Sequence, residues 1–207
     1  MFETGSEGRA GRYNTDQMKL DQNVRHRRSI RLKGYDYSQP GAYFVTIVAH
    51  EHANIFGEIR NNELVLNHPG NIIQETWMHL PDFFPIRLDE WVLMPNHLHG
   101  IIWILEHRRG EASTSIDASP LDTPIGTKPS SVGAVIQNFK SVSTRKINQM
   151  IQGSRAGEIN LANLTPPGLW QRNYYEHIIR NHIELERIRL YILENPRKWL
   201  EDQDYRR

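Results

Sequence analysis

The 207-residue chain has no cysteine. Disulfide cross-links and thiolate metal sites are thereby excluded, and any chemistry must come from other side chains. Long apolar runs are also missing, since none approaches the roughly 18 residues of a membrane-spanning helix. The N-terminal stretch MFETGSEGRAGRYNTDQ has no apolar core of the kind a secretory signal requires. Nor does either sign of charge dominate: 25 Lys and Arg face 24 Asp and Glu, for a net charge of +1 with neutral histidines. Bulk charge therefore announces no polyanionic partner. These absences lead us to expect a soluble globular protein, located in the cytoplasm.

Acids are missing locally as well. VRHRRSIRLKG, residues 24–34, carries Arg25, Arg27, Arg28, Arg31 and Lys33 with no carboxylate. Such a run suits contacts to phosphates, and equally suits a solvated tail.

Length favours one domain. We place it at residues 25–200, after a flexible segment at 1–24 and before a tail at 201–207. GAYFVTIVA (41–49) is aromatic and β-branched and predicts a strand. NIFGEI and ELVLN flank RNN, the signature of a hairpin. Ile72, Ile73, Trp77 and Leu80 recur at helical spacing within 68–81. Residues 83–95 and the stretch running to Leu105 predict strands. Residues 107–130, rich in Ser, Thr, Gly and Pro, predict a long loop. Val132, Val135, Ile136, Phe139, Val142 and Ile147 make 130–151 an amphipathic helix, with Lys140, Arg145 and Lys146 on or beside its polar face. LWQRNYYEHIIRN (169–181) predicts an extended segment. The stretch from 183 predicts a helix ending at Asn195, because a residue before proline disfavours the α region. This order predicts an α+β fold, with helices packed on an antiparallel sheet.

Two features carry chemistry. In WVLMPNHLHGIIWI (91–104), His97 and His99 fall at i and i+2 of a strand and project from one face. Two neutral imidazoles so placed can share a divalent cation. The competing reading is a pair of hydrogen-bonded structural histidines. In the last helix, Ile188, Tyr191, Ile192 and Asn195 fall on one side. The Asn195 amide oxygen could complete a coordination set, and the Tyr191 phenol could attack a bound phosphate. Alternatively, Tyr191 packs in the stripe with its hydroxyl at the rim. Trp170 and Tyr174 could stack on unpaired bases, with core packing favoured, and His177 reads as structural.

MPNHLHG, LWQRNYYEHIIRN and YILENP, in this order and separation, resemble the REP-associated tyrosine transposases. These belong to the HUH (His–hydrophobic–His) superfamily of single-strand transposases. RLKGYDYSQPGAYFVTI (31–47) resembles the family's opening. The resemblance implies a ferredoxin-like or RRM-like sheet with helices. It implies that His97 and His99, with Asn195, hold one divalent cation, Mg²⁺ or Mn²⁺, and that Tyr191 is the nucleophile. It further implies cleavage and rejoining of single-stranded or hairpin DNA through a 5′-phosphotyrosine, with Arg25, Arg27, Arg28, Arg31, Lys33, Lys140, Arg145 and Lys146 as candidate grips on the DNA backbone. Such a protein would act as a monomer or homodimer, nucleoid-associated when bound to DNA. The loop at 107–130 departs from the shortest family members. Three alternatives stay open: a catalytically silent hairpin-DNA-binding protein of the same fold, a metal-dependent hydrolase using His97 and His99, and a replication initiator or relaxase of the same superfamily.

Overall fold

The computed structural model describes residues 32, 34–106, 128–153 and 168–199, all within one compact unit, Arg31–Arg207. Arg25, Arg27, Arg28, Arg31 and Lys33 lie outside the described residues, as do the expected N-terminal segment, most of the 107–130 loop and the C-terminal tail.

Strand β1 (Gly41–Val48) is buried along almost its whole length. This explains its near-continuous apolar sequence, since a central strand covered on both faces gains nothing from alternation. It pairs antiparallel with β5 (His97–Ile104) on one side and β6 (Tyr175–Ile179) on the other. β5 pairs antiparallel in turn with β4 (Ile86–Leu93), giving the sheet order β4-β5-β1-β6. A two-stranded hairpin, β2 (Gly57–Arg60) and β3 (Glu63–Leu66), follows β1. Its turn residues Asn61 and Asn62 both have positive φ, 53° and 63°, as a two-residue type I′ turn requires.

Three helices complete the fold: α1 (His68–Met78), α2 (Val132–Gly153) and α3 (His182–Lys198). Apart from the hairpin, the order up to β6 is β-α-β-β-α-β, the split arrangement of ferredoxin-like sheets. The expected α+β sheet packed with helices is the fold observed. Each helix start is capped. Asn67 accepts from Gly70 N–H at 2.9 Å, Ser131 Oγ from Ala134 N–H at 3.3 Å, and Asn181 from Glu184 N–H at 2.9 Å, satisfying donors that a helix leaves unpaired.

The sheet has two unlike faces. Tyr43, Val45 and Ile47 of β1, with Leu98, Ile102 and Ile104 of β5, pack against Ile73 and Trp77 of α1 and Val135, Ile136 and Phe139 of α2. The fit is tight at Gly100, where an added Cβ would lie 2.5 Å from the Trp77 ring. Ala42, Phe44 and Ile101 point the other way and meet Leu185, Ile188 and Ile192 of α3.

Two local expectations are corrected. Val142 is only half-buried, and Ser143 takes the core position. Ser143 Oγ donates to the Phe139 carbonyl (2.6 Å) and accepts the Trp170 indole N–H (2.9 Å), so its polarity is met internally. The last helix does not end at Asn195 but runs through Pro196 to Lys198. Residues downstream of the proline still reach back: Lys198 pairs with Glu194, and Trp199 is buried.

Candidate active site

His97 and His99 begin β5 and point to the face covered by α3. They are 3% and 5% exposed, with ring centroids 4.5 Å apart. Each has its Nδ1 engaged by a neighbour. Asn96 donates its amide N–H to the His52 carbonyl (3.1 Å), which identifies Oδ1 as the acceptor facing His97 Nδ1 at 2.7 Å. His97 Nδ1 therefore carries the proton, and Nε2 carries the lone pair. His99 Nδ1 meets Thr46 Oγ1 at 2.8 Å; Thr46 is its directly opposite residue on β1. Held nitrogens of this kind fix a ring's orientation and tautomer when the other nitrogen ligates. Burial, reinforced by the neighbouring His97, holds the His99 pKa well below its ordinary value. The ring is thus kept neutral, the state in which it can donate a lone pair.

The phenol arrives from α3. Tyr191 Oη lies 3.2 Å from His99 Nε2, with ring centroids 5.2 Å apart. Phe44 wedges this pair, stacked on His99 (5.5 Å) and edge-on to Tyr191 (6.0 Å). Trp199, two turns beyond Tyr191, packs against His97 with centroids 5.9 Å apart. Asn195 sits midway between Tyr191 and Trp199 on the same stripe and is 5% exposed. One helix therefore lays a phenol over one imidazole, an indole over the other, and a buried amide between.

Two anchors hold α3 at the sheet edges. Asp89, at a bulge in β4, takes a bidentate contact from Arg189 (Nε 2.7 Å, Nη2 2.6 Å) and the Trp103 indole N–H (2.9 Å). The Arg189 guanidinium, the largest influence, holds the Asp89 carboxyl far below the usual carboxylate range. At the opposite edge, His177 Nε2 of β6 meets Glu184 Oε1 at 2.8 Å, and Glu184 Oε2 accepts Arg180 N–H at 2.8 Å. His177 is thus placed as a structural residue.

Other sequence candidates are elsewhere. Lys140 Nζ donates to the carbonyls of Gln171 (2.8 Å), Arg172 (3.4 Å) and Asn173 (3.0 Å) and lies 5.5 Å from the Tyr174 ring. Burial draws its pKa down to about 8. Arg145 is exposed and Lys146 half-buried on α2, which packs on the sheet face opposite the imidazoles. Trp170 is a core residue between Phe56 and Phe139 (5.0 and 5.3 Å). Thr46, Asn96, Asp89 and Arg189 escaped sequence reasoning. Asn96 could have been found beside the histidines in MPNHLHG. The others depend on strand register and helix placement.

A divalent cation would find two imidazoles side by side here, with the buried Asn195 on the helix that covers them. Among the described residues, no group of three or more His, Cys, Asp or Glu side chains could hold a metal. A cation here would rest on the two Nε2 atoms and on an amide or water oxygen.

No family model matches the chain. Its fold is shared with the solved structure of a REP-associated tyrosine transposase bound to a REP hairpin. The TM-score is 0.52 at 16% identity, over 82% of this chain and 74% of that one. An uncharacterized protein of Haemophilus influenzae is 38% identical over 191 residues, 90% of this chain and 97% of its own length. With a similarity that strong across nearly both full lengths, the chain belongs to the same family as this Haemophilus influenzae protein.

Proposed function

We propose that the protein is a metal-dependent single-strand DNA transposase or endonuclease, cleaving and rejoining hairpin-bearing DNA through a tyrosine. The observation carrying this reading is the 3.2 Å approach of Tyr191 Oη to His99 Nε2, beside His97 on the same strand face. A phenol brought from the last helix onto a pair of buried, oriented imidazoles is more than packing needs. The fold it shares with a transposase bound to a REP hairpin supports DNA as the substrate.

In this reading His97 Nε2, His99 Nε2 and the Asn195 amide oxygen would hold one Mg²⁺ or Mn²⁺. When bound, that ion supplies Lewis-acid polarisation of a phosphate oxygen and charge near the phenol. Tyr191 Oη attacks phosphorus, forming the Oη–P bond as the P–O3′ bond breaks. The phenol proton leaves and the departing 3′ oxygen gains one, so the products are a 5′-phosphotyrosine and a free 3′-hydroxyl. Attack by another 3′-hydroxyl reverses the step and joins strands, with no nucleoside triphosphate consumed. Asn96 and Thr46 keep the imidazoles in register, while Phe44 and Trp199 keep the rings from rotating away. Asp89–Arg189 and His177–Glu184 position α3, and with it the phenol.

The test is incubation of the full chain with end-labelled single-stranded hairpin oligonucleotides and Mn²⁺, followed by denaturing gel analysis. A denaturant-resistant protein–DNA adduct is expected, lost in Tyr191→Phe and His97→Ala. Tight binding with no adduct would identify a silent DNA-binding protein instead. Hydrolysis of small esters or nucleotides, untouched by Tyr191→Phe, would identify a hydrolase.

A further inference from the structure

The outward side of α3 is apolar where a surface helix is normally polar. Among the described residues eight large apolar side chains stand exposed, and three of them belong to this helix: Ile183 (83%), Leu190 (55%) and Leu193 (61%). They follow a pattern. Ile183, Glu186, Leu190, Leu193 and Arg197 are all exposed and recur at intervals of three, four, three and four residues. That spacing is the seam by which one helix pairs with another. The inner side of α3 is a separate stripe, with Leu185, Ile188, Ile192 and Asn195 buried. One helix thus carries two seams. The inner one is spent on the sheet, and the outer one is left to solvent.

The charges in the outer seam say what fits it. Two parallel copies of α3 would stack Glu186 on Glu186 and Arg197 on Arg197, which repel. Two antiparallel copies, with Leu190 set against the partner's Leu193, bring Glu186 onto the partner's Arg197 at the same register. The two-fold symmetry repeats both contacts, as an isologous interface requires. Arg187 and Glu194 lie on one flank of the seam, and antiparallel pairing brings that flank against its own copy, cation to anion. At present Glu186 is held by Arg189, and Glu194 by Lys198, within the same helix. Such solvent-facing pairs contribute little and are easily shared. The face therefore complements itself, leucines at the centre and ion pairs outside them.

We propose that the outward face of α3 is a self-association surface, on which a second copy of this chain lays its own α3 antiparallel. The 17 residues of the helix give a seam about 25 Å long. That is near the lower limit of specific interfaces, so pairing should be reversible, with a dissociation constant on the order of 10 μM. Tyr191 meets His99 on the inner side of the same helix, so each phenol stays over its own chain's imidazoles. Pairing clamps from outside the helix that carries the phenol. The inference does not depend on what the protein acts upon.

The test is sedimentation of the full chain without DNA, over about 1–100 μM. The mass should rise from 24.2 kDa toward twice that value. Leu190→Lys/Leu193→Gln should hold it at the single-chain value throughout. Its thermal melt at low concentration should match the native one, because both positions are exposed. Glu186→Arg alone and Arg197→Glu alone should each weaken pairing about tenfold, and the chain carrying both should recover to within about threefold. The chain has no native cysteine, so Ile183→Cys adds a single thiol. Antiparallel pairing keeps the two copies of that thiol about 25 Å apart, and mild oxidation should give no cross-linked dimer. A mass fixed at 24.2 kDa at every concentration would overturn the proposal. So would a dimer that persists in Leu190→Lys/Leu193→Gln, a double charge swap no better than either single one, or rapid cross-linking of Ile183→Cys, which requires parallel helices. With no DNA present, none of these outcomes bears on cleavage.

Discussion

The two faces of one sheet are built to different rules. Toward α1 and α2, β1 and β5 present Tyr43, Val45, Ile47, Leu98 and Ile102, sealed by Trp77 and Phe139. Toward α3, the same two strands present Thr46, His97 and His99 beside Phe44 and Ile101. Adjacent residues of a strand point to opposite faces, so Leu98 sits in the apolar core while its neighbours form the polar site. The difference teaches that the buried imidazoles are held by a scaffold paid for on the other face. Packing there fixes β5, and β5 fixes the histidines.

The largest effect should come from the α3 face. Tyr191→Phe removes one oxygen and no packing volume, so stability should change little while adduct formation with hairpin DNA falls at least 1000-fold. Melting curves and adduct gels on the same preparation check both halves. Retained activity would erase the functional distinction between the faces.

Next is a blow to the apolar face. Phe139→Ala leaves a cavity against Trp77 and Trp170 and should cost about 3–5 kcal/mol. Denaturant titration measures it. A cost below 1 kcal/mol would mean the α2 face is not the scaffold.

A third variant probes the border between α3 and the sheet. Asp89→Asn leaves Arg189 half-matched and should cost about 2–3 kcal/mol, toward the low side of buried-pair values because Arg189 is partly exposed. The native Asp89 pKa is depressed, so its contribution is present above the unfolded carboxylate pKa and lost as pH falls through the folded one. The wild type should therefore lose stability below about pH 4, and the variant should lose less over the same range. At permissive temperature, adduct formation should slow while DNA affinity holds, which marks Asp89 as a positioning residue.

The smallest effect sharpens the contrast by pH. His99 stays neutral in the fold, whereas the unfolded chain takes up a proton near pH 6.5. The unfolded state binds more protons below that pH, so stability drops as pH falls, by about 1 kcal/mol between pH 6.5 and 5.5. His99→Gln should remove this component, as measured by urea unfolding at the two pH values.

Much of this was legible in the sequence because it is local. The Asn-rich turn at 61–62, the His-X-His spacing and the α3 stripe are all read within a few residues. The apolar strand β1 announces its burial by composition alone. What escaped depends on distant partners. Thr46 meets His99 across 53 positions and Asp89 meets Arg189 across 100, and only the strand register and helix placement create those pairs. Ser143 escaped because its hydroxyl is satisfied by a backbone carbonyl and by Trp170, so a polar letter occupies a core position. The end of α3 was misplaced because the rule before proline is a local bias, which burial of Asn195 and Trp199 overrides.

The phenol rides on the last described helix, 92 positions after the imidazole it meets. During synthesis on the ribosome, the chain exposes His97 and His99 long before Tyr191 exists. Over the same interval Phe44 and Ile101 lack the helix that covers them. A chain that has emerged only as far as β6 therefore has neither the phenol that meets His99 nor the helix that covers this face of the sheet.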